Sequence, residues 1–121
     1  MLTAAFACLA FAALLGTTLA VFHLRAATPP VPPWLLAALH GLLGLAGLSC
    51  LLFALGGPPR GVDQGVSAFR DISSALIALA ALVGGGLLAA NMRNRRSGTL
   101  MGLHATLAVS GIVVLAAYLF A

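Results

Sequence analysis

The sequence alternates between long apolar runs and short breaks. Four runs, at about 2–24, 33–55, 72–90 and 99–121, each approach the roughly 20 residues that a helix needs to cross a hydrocarbon core about 30 Å thick. The pattern therefore predicts an all-α fold. We expect a bundle of four transmembrane helices that forms a single transmembrane domain over 1–121.

Three breaks separate the apolar runs. The first, 28–33, is rich in proline, which lacks an amide donor and disfavours helix in the residue before it. The second, 56–61, combines glycine and proline, and the third, 91–98, is polar and basic. These signals predict that the helices end where the breaks begin.

The composition agrees with a membrane location. Hydrophobic residues make up 62% of the chain and charged residues 7%, against about 25% charged in ordinary soluble domains. A soluble fold of this size has too much surface to hide so many apolar side chains, whereas a lipid bilayer solvates them. Aromatic residues are not interleaved with the basic ones, so the net charge of +4 does not indicate nucleic acid as a partner. Cys8 and Cys50 lie in apolar runs without metal-ligand spacing, so we interpret them as small apolar residues.

The charges predict an orientation. One end of the bundle receives four arginines without an acidic neighbour, namely Arg25, Arg93, Arg95 and Arg96. The loop 56–71, at the other end, holds two arginines and two aspartates. Short arginine-rich loops stay in the cytoplasm, so we expect an integral protein of a bacterial inner membrane with both termini outside.

The two halves of the chain resemble each other. Residues 16–25 match residues 84–93 at an offset of 68, and residues 40–47 match 104–111 at an offset of 64. The second pair shares the pattern HxxL[GA]xxG near the start of helices 2 and 4. We interpret this as an internal repeat, a duplicated helical hairpin whose copies are related by a pseudo-two-fold axis along the membrane normal.

This repeat places one histidine on each of two equivalent helices. His40 and His104 lie at a similar depth, roughly 8–10 Å from the arginine-rich end. The axis sets helix 2 diagonally across from helix 4, so the two imidazoles are expected to face each other. Two axial histidines are typical of a six-coordinate heme b that transfers electrons, and both residues are candidate metal ligands.

Other residues of the repeat would complete a heme site. Four small residues follow the histidines on the same helix faces and would give a porphyrin room: Gly44, Gly47, Ala108 and Gly111. Arg25 and Arg93 are candidates to pair with the heme propionates, since guanidinium groups bind carboxylates well.

The remaining polar residues have simpler interpretations. His23 is expected to lie among lipid headgroups, while Trp34 and Tyr118 are expected to anchor helix ends at the membrane interface. Serine and threonine residues within the spans are expected to bond to their own helix backbone. These residues are Thr17, Thr18, Ser73, Ser74, Thr106 and Ser110.

The His40 and His104 motifs resemble small four-helix membrane b-type cytochromes of the cytochrome b561 kind. The resemblance covers parts of two helices and implies electron transfer with quinone or a partner redox protein. That family carries further histidines and two hemes, whereas this sequence offers one matched pair. One heme does not by itself imply transfer across the whole membrane.

Other functions remain open on the sequence alone. Glycines in membrane helices also mark close packing, and histidine can hydrogen-bond across helices or serve a proton or quinone site. A heme-free accessory or assembly subunit of a larger membrane complex is therefore the main alternative. A small transporter or channel ranks last, because helix 1 lacks the intramembrane acid on which small multidrug transporters depend. Hydrolase and phosphate-loop signatures are missing, so we do not expect an enzyme that works on its own.

Overall fold

A computed structural model describes residues 1–25, 31–95 and 97–121. It contains four helices, α1 (Leu2–Leu24), α2 (Pro33–Leu55), α3 (Phe69–Met92) and α4 (Gly98–Phe120). The described residues include no strand, so the all-α prediction is confirmed. Residues 28–30 of the proline-rich break, together with Arg96, lie outside the described residues.

All four helices are long and apolar enough to cross a membrane. Each turns large apolar side chains away from the bundle, for example Phe11 (61% exposed), Leu42 (66%), Leu82 (73%) and Val113 (60%). Water would penalise this much exposed apolar surface, whereas lipid does not. The protein is therefore an integral membrane protein.

Helix α3 begins three residues before the start predicted from hydropathy, at Phe69 rather than 72. The charged pair Arg70 and Asp71 was expected in the loop. Instead, Arg70 is buried, and its Nη1 donates to two carbonyl oxygens at the end of α2. These are Ala54 O in the last turn (3.2 Å) and Gly57 O just after the helix (2.8 Å). Asp71 lies in the first turn of α3, where the helix dipole favours a negative charge.

The polar break after α3 has a defined local structure. Asn94 has a positive φ of 55°, its amide donates to Asn91 O, and the amide of Arg95 donates to Ala90 O. This is a Schellman termination, for which asparagine is well suited because it tolerates the left-handed conformation. Ser97 then caps α4, since its Oγ accepts a hydrogen bond from the amide of Leu100 at 3.2 Å.

The helices form a ring in chain order. Helix α1 packs extensively along α2, and α3 along α4, while α1 with α4 and α2 with α3 make smaller contacts. Helices α2 and α4 therefore lie diagonally opposite, as the repeat predicted. The hydrophobic core lies in the half of the bundle away from the arginine-rich end and includes Leu9, Leu51, Ile77 and Leu115.

Gly47 sets the close approach of α2 to α1. A Cβ built on Gly47 would lie 2.6 Å from Cγ of the buried Leu9 and 3.2 Å from Ala5 O. Gly47→Ala is therefore expected to destabilise the protein by about 1–3 kcal/mol, the usual cost of overpacking. The control is Gly41→Ala on the same helix, where a Cβ meets nothing within 4 Å. Thermal unfolding in detergent would measure both variants, and equal midpoints would contradict this account of the contact.

Candidate functional site

The two histidines of the repeated motif meet inside the bundle. His40 reaches inward from α2 and His104 from α4, and their ring centroids lie 5.7 Å apart. The ring planes are close to perpendicular, at 77°. Both side chains are half-buried. The structure thus brings the pair together across the diagonal of the bundle.

Each imidazole is oriented by a backbone carbonyl of the neighbouring helix. Nδ1 of His40 lies 2.8 Å from Ala12 O on α1, and Nδ1 of His104 lies 2.8 Å from Ala80 O on α3. A carbonyl oxygen can only accept, so Nδ1 must carry the proton in both rings. In the neutral imidazole this leaves the lone pair on Nε2, and the site therefore presents two potential ligand nitrogens.

A glycine lies against each ring. A Cβ built on Gly16 would lie 2.8 Å from Cε1 of His40, and one on Gly84 would lie 2.9 Å from Cε1 of His104. Contacts under 3 Å are not tolerated by real Cβ atoms. Glycine is thus required at both positions if the rings are to keep their orientation.

The contacts of the two hairpins correspond residue for residue. Seven residues beyond His40, Gly47 packs against Ala5, which lies seven residues before Ala12. Seven residues beyond His104, the carbonyl of Gly111 accepts a 2.9 Å hydrogen bond from Ser73, seven residues before Ala80. The antiparallel register of α1 with α2 is therefore the same as that of α3 with α4.

The four small residues expected around the histidines fall into two groups. Gly44 and Ala108 are half-buried, one turn beyond the rings, and a Cβ on Gly44 would meet nothing within 4 Å. Gly47 and Gly111 are buried against Leu9 of α1 and Ile77 of α3. The second pair thus packs the helices of each hairpin together, which is a structural role.

The arginine-rich end lies beyond the histidines and is open to the surroundings. Arg25 and Arg93 are exposed and follow the last residues of α1 and α3. Cations are favourable there because the helix dipole is negative at its C-terminus. His23 is also exposed in the last turn of α1, well away from the interior pair.

Two further side chains differ from the sequence interpretation. Tyr118 lies near the end of α4 as expected, but its side chain is 2% exposed and packs inside the protein, and its hydroxyl accepts a 2.8 Å hydrogen bond from the amide of Arg60. Ser73 bonds across to α4 rather than along its own helix. The backbone bonds expected within a helix are present for Thr17, Thr18, Ser74 and Thr106.

The site has few ligands of its own. Within residues 1–25, 31–95 and 97–121, no group of three or more His, Cys, Asp or Glu side chains is placed to hold a metal ion. A structural zinc ion usually takes four protein ligands and a catalytic one three. Two imidazoles suit a metal whose other ligands come from elsewhere, as porphyrin nitrogens do for heme iron.

The fold and the site define a four-helix integral membrane protein with paired interior histidines. No protein-family model, curated protein or solved structure matches the chain.

Sequence reasoning missed the contacts that hold the rings. Neither Ala12 nor Ala80 stands out in the sequence, because a backbone carbonyl leaves no signature in residue type. Gly16 and Gly84 did carry a signal, since they begin the first pair of matched segments. Contact with the histidine rings explains why glycine occupies this position in both halves.

Proposed function

We propose that the protein is a small membrane electron-transfer subunit that binds one heme b between His40 and His104. The observation that supports this most is the pairing of two imidazoles in the bundle interior, with ring centroids 5.7 Å apart. When bound, heme b supplies a one-electron redox couple. The partner would be quinone or another redox protein.

The separation of the rings fits this assignment. Metal–imidazole bonds are about 2 Å long, so two rings that share one metal have their centres roughly 6 Å apart. The observed distance is slightly shorter, so a small outward movement of the rings would accommodate the iron.

The hydrogen bonds of the two imidazole rings also support heme binding. Metal-binding histidines almost always donate their second N–H to a carbonyl, a carboxylate or water, which fixes the tautomer and the ring orientation. Here Ala12 O and Ala80 O accept that bond. The chain thus holds both imidazoles in the tautomer that leaves Nε2 free for the metal.

The residues around the pair carry little side-chain bulk that would oppose a flat ring. A heme held by ligands on the diagonal helices α2 and α4 would have α1 and α3 as its other neighbours. At that level these helices present Gly16 and Gly84, which carry no side chain. Gly44 and Ala108 add little bulk on the ligand helices. The large core side chains lie farther along the bundle.

Arg25 and Arg93 would bind the heme propionates. Both are exposed at the bundle end nearest the histidines. Guanidinium groups form charge-assisted, often bidentate hydrogen bonds with carboxylates. Two histidine ligands would leave no open position on a bound heme iron, which favours electron transfer over oxygen binding.

We also propose that the site arose by duplication of one helical hairpin, with a pseudo-two-fold axis along the membrane normal. The matched registers support this, because the pairs Ala12 with His40 and Ala80 with His104 have equivalent contacts. The glycine contacts with the two rings support it in the same way.

Heme titration of the heme-free protein tests the proposal. Added heme b is expected to give a sharp Soret band that saturates at one heme per chain. Carbon monoxide should leave the reduced spectrum unchanged, because both axial positions are filled. Titration without saturation would count against the site. Stable co-purification with other membrane proteins, together with failure to bind heme, would favour the heme-free accessory subunit.

The orientation is a separate prediction. In a variant whose native cysteines are replaced (Cys8→Ala, Cys50→Ala), single cysteines can report each end of the bundle. Gln64→Cys and Arg95→Cys are both at exposed positions. A membrane-impermeant maleimide is expected to label Gln64→Cys in intact spheroplasts, and Arg95→Cys only after lysis, since arginine-rich loops stay cytoplasmic. The reverse labelling pattern would overturn the orientation.

A further inference from the structure

A cavity lies at the opposite end of the bundle from the histidines. It occupies about 340 Å³ between the first turn of α1, the end of α2, the loop that follows, and the end of α4. Four polar side chains line it, those of Thr3, Arg60, Arg70 and Tyr118. Because the membrane-spanning helices end here, we expect the cavity at the level of the lipid headgroups.

Arg70 forms the fixed wall of the cavity. Its guanidinium is buried, with Nη1 bonded to two carbonyl oxygens and Nε 3.2 Å from Oδ1 of Asp71. These bonds hold the group rigidly and leave Nη2 for a ligand. The carboxylate of Asp71 has a largely exposed side chain and does not line the cavity. It therefore neutralises the positive charge of Arg70 only in part, because water screens an exposed ion pair.

Tyr118 and Arg60 form the second wall. The hydroxyl of Tyr118 accepts a hydrogen bond from the backbone amide of Arg60 at 2.8 Å, which ties the loop to α4. The hydroxyl proton remains for an acceptor, since a phenol both donates and accepts. Tyr118 is almost completely buried and is one of the residues that line the cavity. The side chain of Arg60, anchored through its backbone, is exposed and can extend over the opening.

Every polar side chain that lines the cavity can thus donate a hydrogen bond. No carboxylate lines the cavity, and the first turn of α1 contains no acidic residue. Two guanidinium groups with a phenol favour an oxyanion, and arginine binds phosphate through paired hydrogen bonds. From this geometry we infer that the cavity binds a phosphate group. At the depth of the headgroups its source is an anionic phospholipid. This inference does not depend on heme binding.

Native mass spectrometry of the detergent-solubilised protein tests the site. Phosphatidylglycerol is expected to remain bound to the unaltered chain, and Arg60→Gln is expected to weaken its binding about tenfold, as for the loss of a hydrogen bond to a charged group. The matched control is Arg95→Gln, an exposed arginine at the other end, which should leave lipid binding unchanged. Tyr118→Phe should also weaken binding, because it removes the hydroxyl proton and keeps the ring.

Two further probes distinguish the source of the phosphate. Diacylglycerol, which lacks phosphate, is expected not to bind. Competition by inorganic phosphate at millimolar concentration would support the anion site with free phosphate as its ligand, whereas no competition would support the phospholipid. Equal retention of phosphatidylglycerol by Arg60→Gln and Arg95→Gln, or retention of diacylglycerol equal to that of phosphatidylglycerol, would overturn the inference.

Discussion

Replacement of either interior histidine by alanine is expected to abolish the heme spectrum. His40→Ala and His104→Ala each remove one of the two axial ligands proposed for the site. They also remove the ring that is held by Ala12 O or Ala80 O. Loss of residues that merely orient a ligand typically costs 10–100-fold in metal affinity. Loss of the ligand itself is therefore expected to weaken heme binding by more than about 100-fold.

His23→Ala is the matched control for these variants. His23 is exposed in the last turn of α1, so its loss should leave the heme content unchanged. Size-exclusion chromatography of each variant would show that the bundle remains folded. If His40→Ala and His104→Ala both retain a full Soret band, the two rings are not the ligands.

The second large effect is expected at the glycines beside the rings. Gly84→Ala would place a Cβ 2.9 Å from Cε1 of His104 and push the ring from its hydrogen bond with Ala80 O. We expect heme affinity to fall by about 10–100-fold, as for other losses of ligand orientation. The stability of the heme-free bundle should fall by about 1–3 kcal/mol from overpacking.

Gly85→Ala is the control one residue along the same helix. A Cβ there meets nothing within 4 Å. The change should be neutral or stabilise the helix by about 0.5–1 kcal/mol, the usual difference between alanine and glycine. Heme titration would measure the heme affinity of both variants, and thermal unfolding would measure their stability. Similar behaviour of Gly84→Ala and Gly85→Ala would contradict the proposed role of Gly84.

The spans themselves could be predicted closely from hydropathy. The bounds of α1 and α2 agree with the apolar runs, because Pro33 starts α2 and the glycines after Leu55 end it. The early start of α3 could not be foreseen. Arg70 is polar in sequence, but it is buried because carbonyl groups distant along the chain accept its hydrogen bonds.

The sequence predicted the two histidines of the candidate site better than it predicted the roles of the residues around them. The repeated motif placed His40 and His104 at equal depth on diagonal helices, and the two rings do meet. Gly47 was expected to make room beside a cofactor because it shares a helix face with His40. That face is directed toward α1. The side chain of His40 is long enough to extend from this face into the bundle interior. Gly47 has no side chain, so α1 packs closely against it.

The most direct test of heme binding is the absorption spectrum of the protein purified from cells with a verified heme supply. We predict a red protein with one heme b per chain. Its Soret band should shift on reduction with dithionite and should not respond to carbon monoxide. A colourless preparation, from cells in which another heme protein is fully loaded, would contradict the proposed function and leave the four-helix membrane fold unaffected.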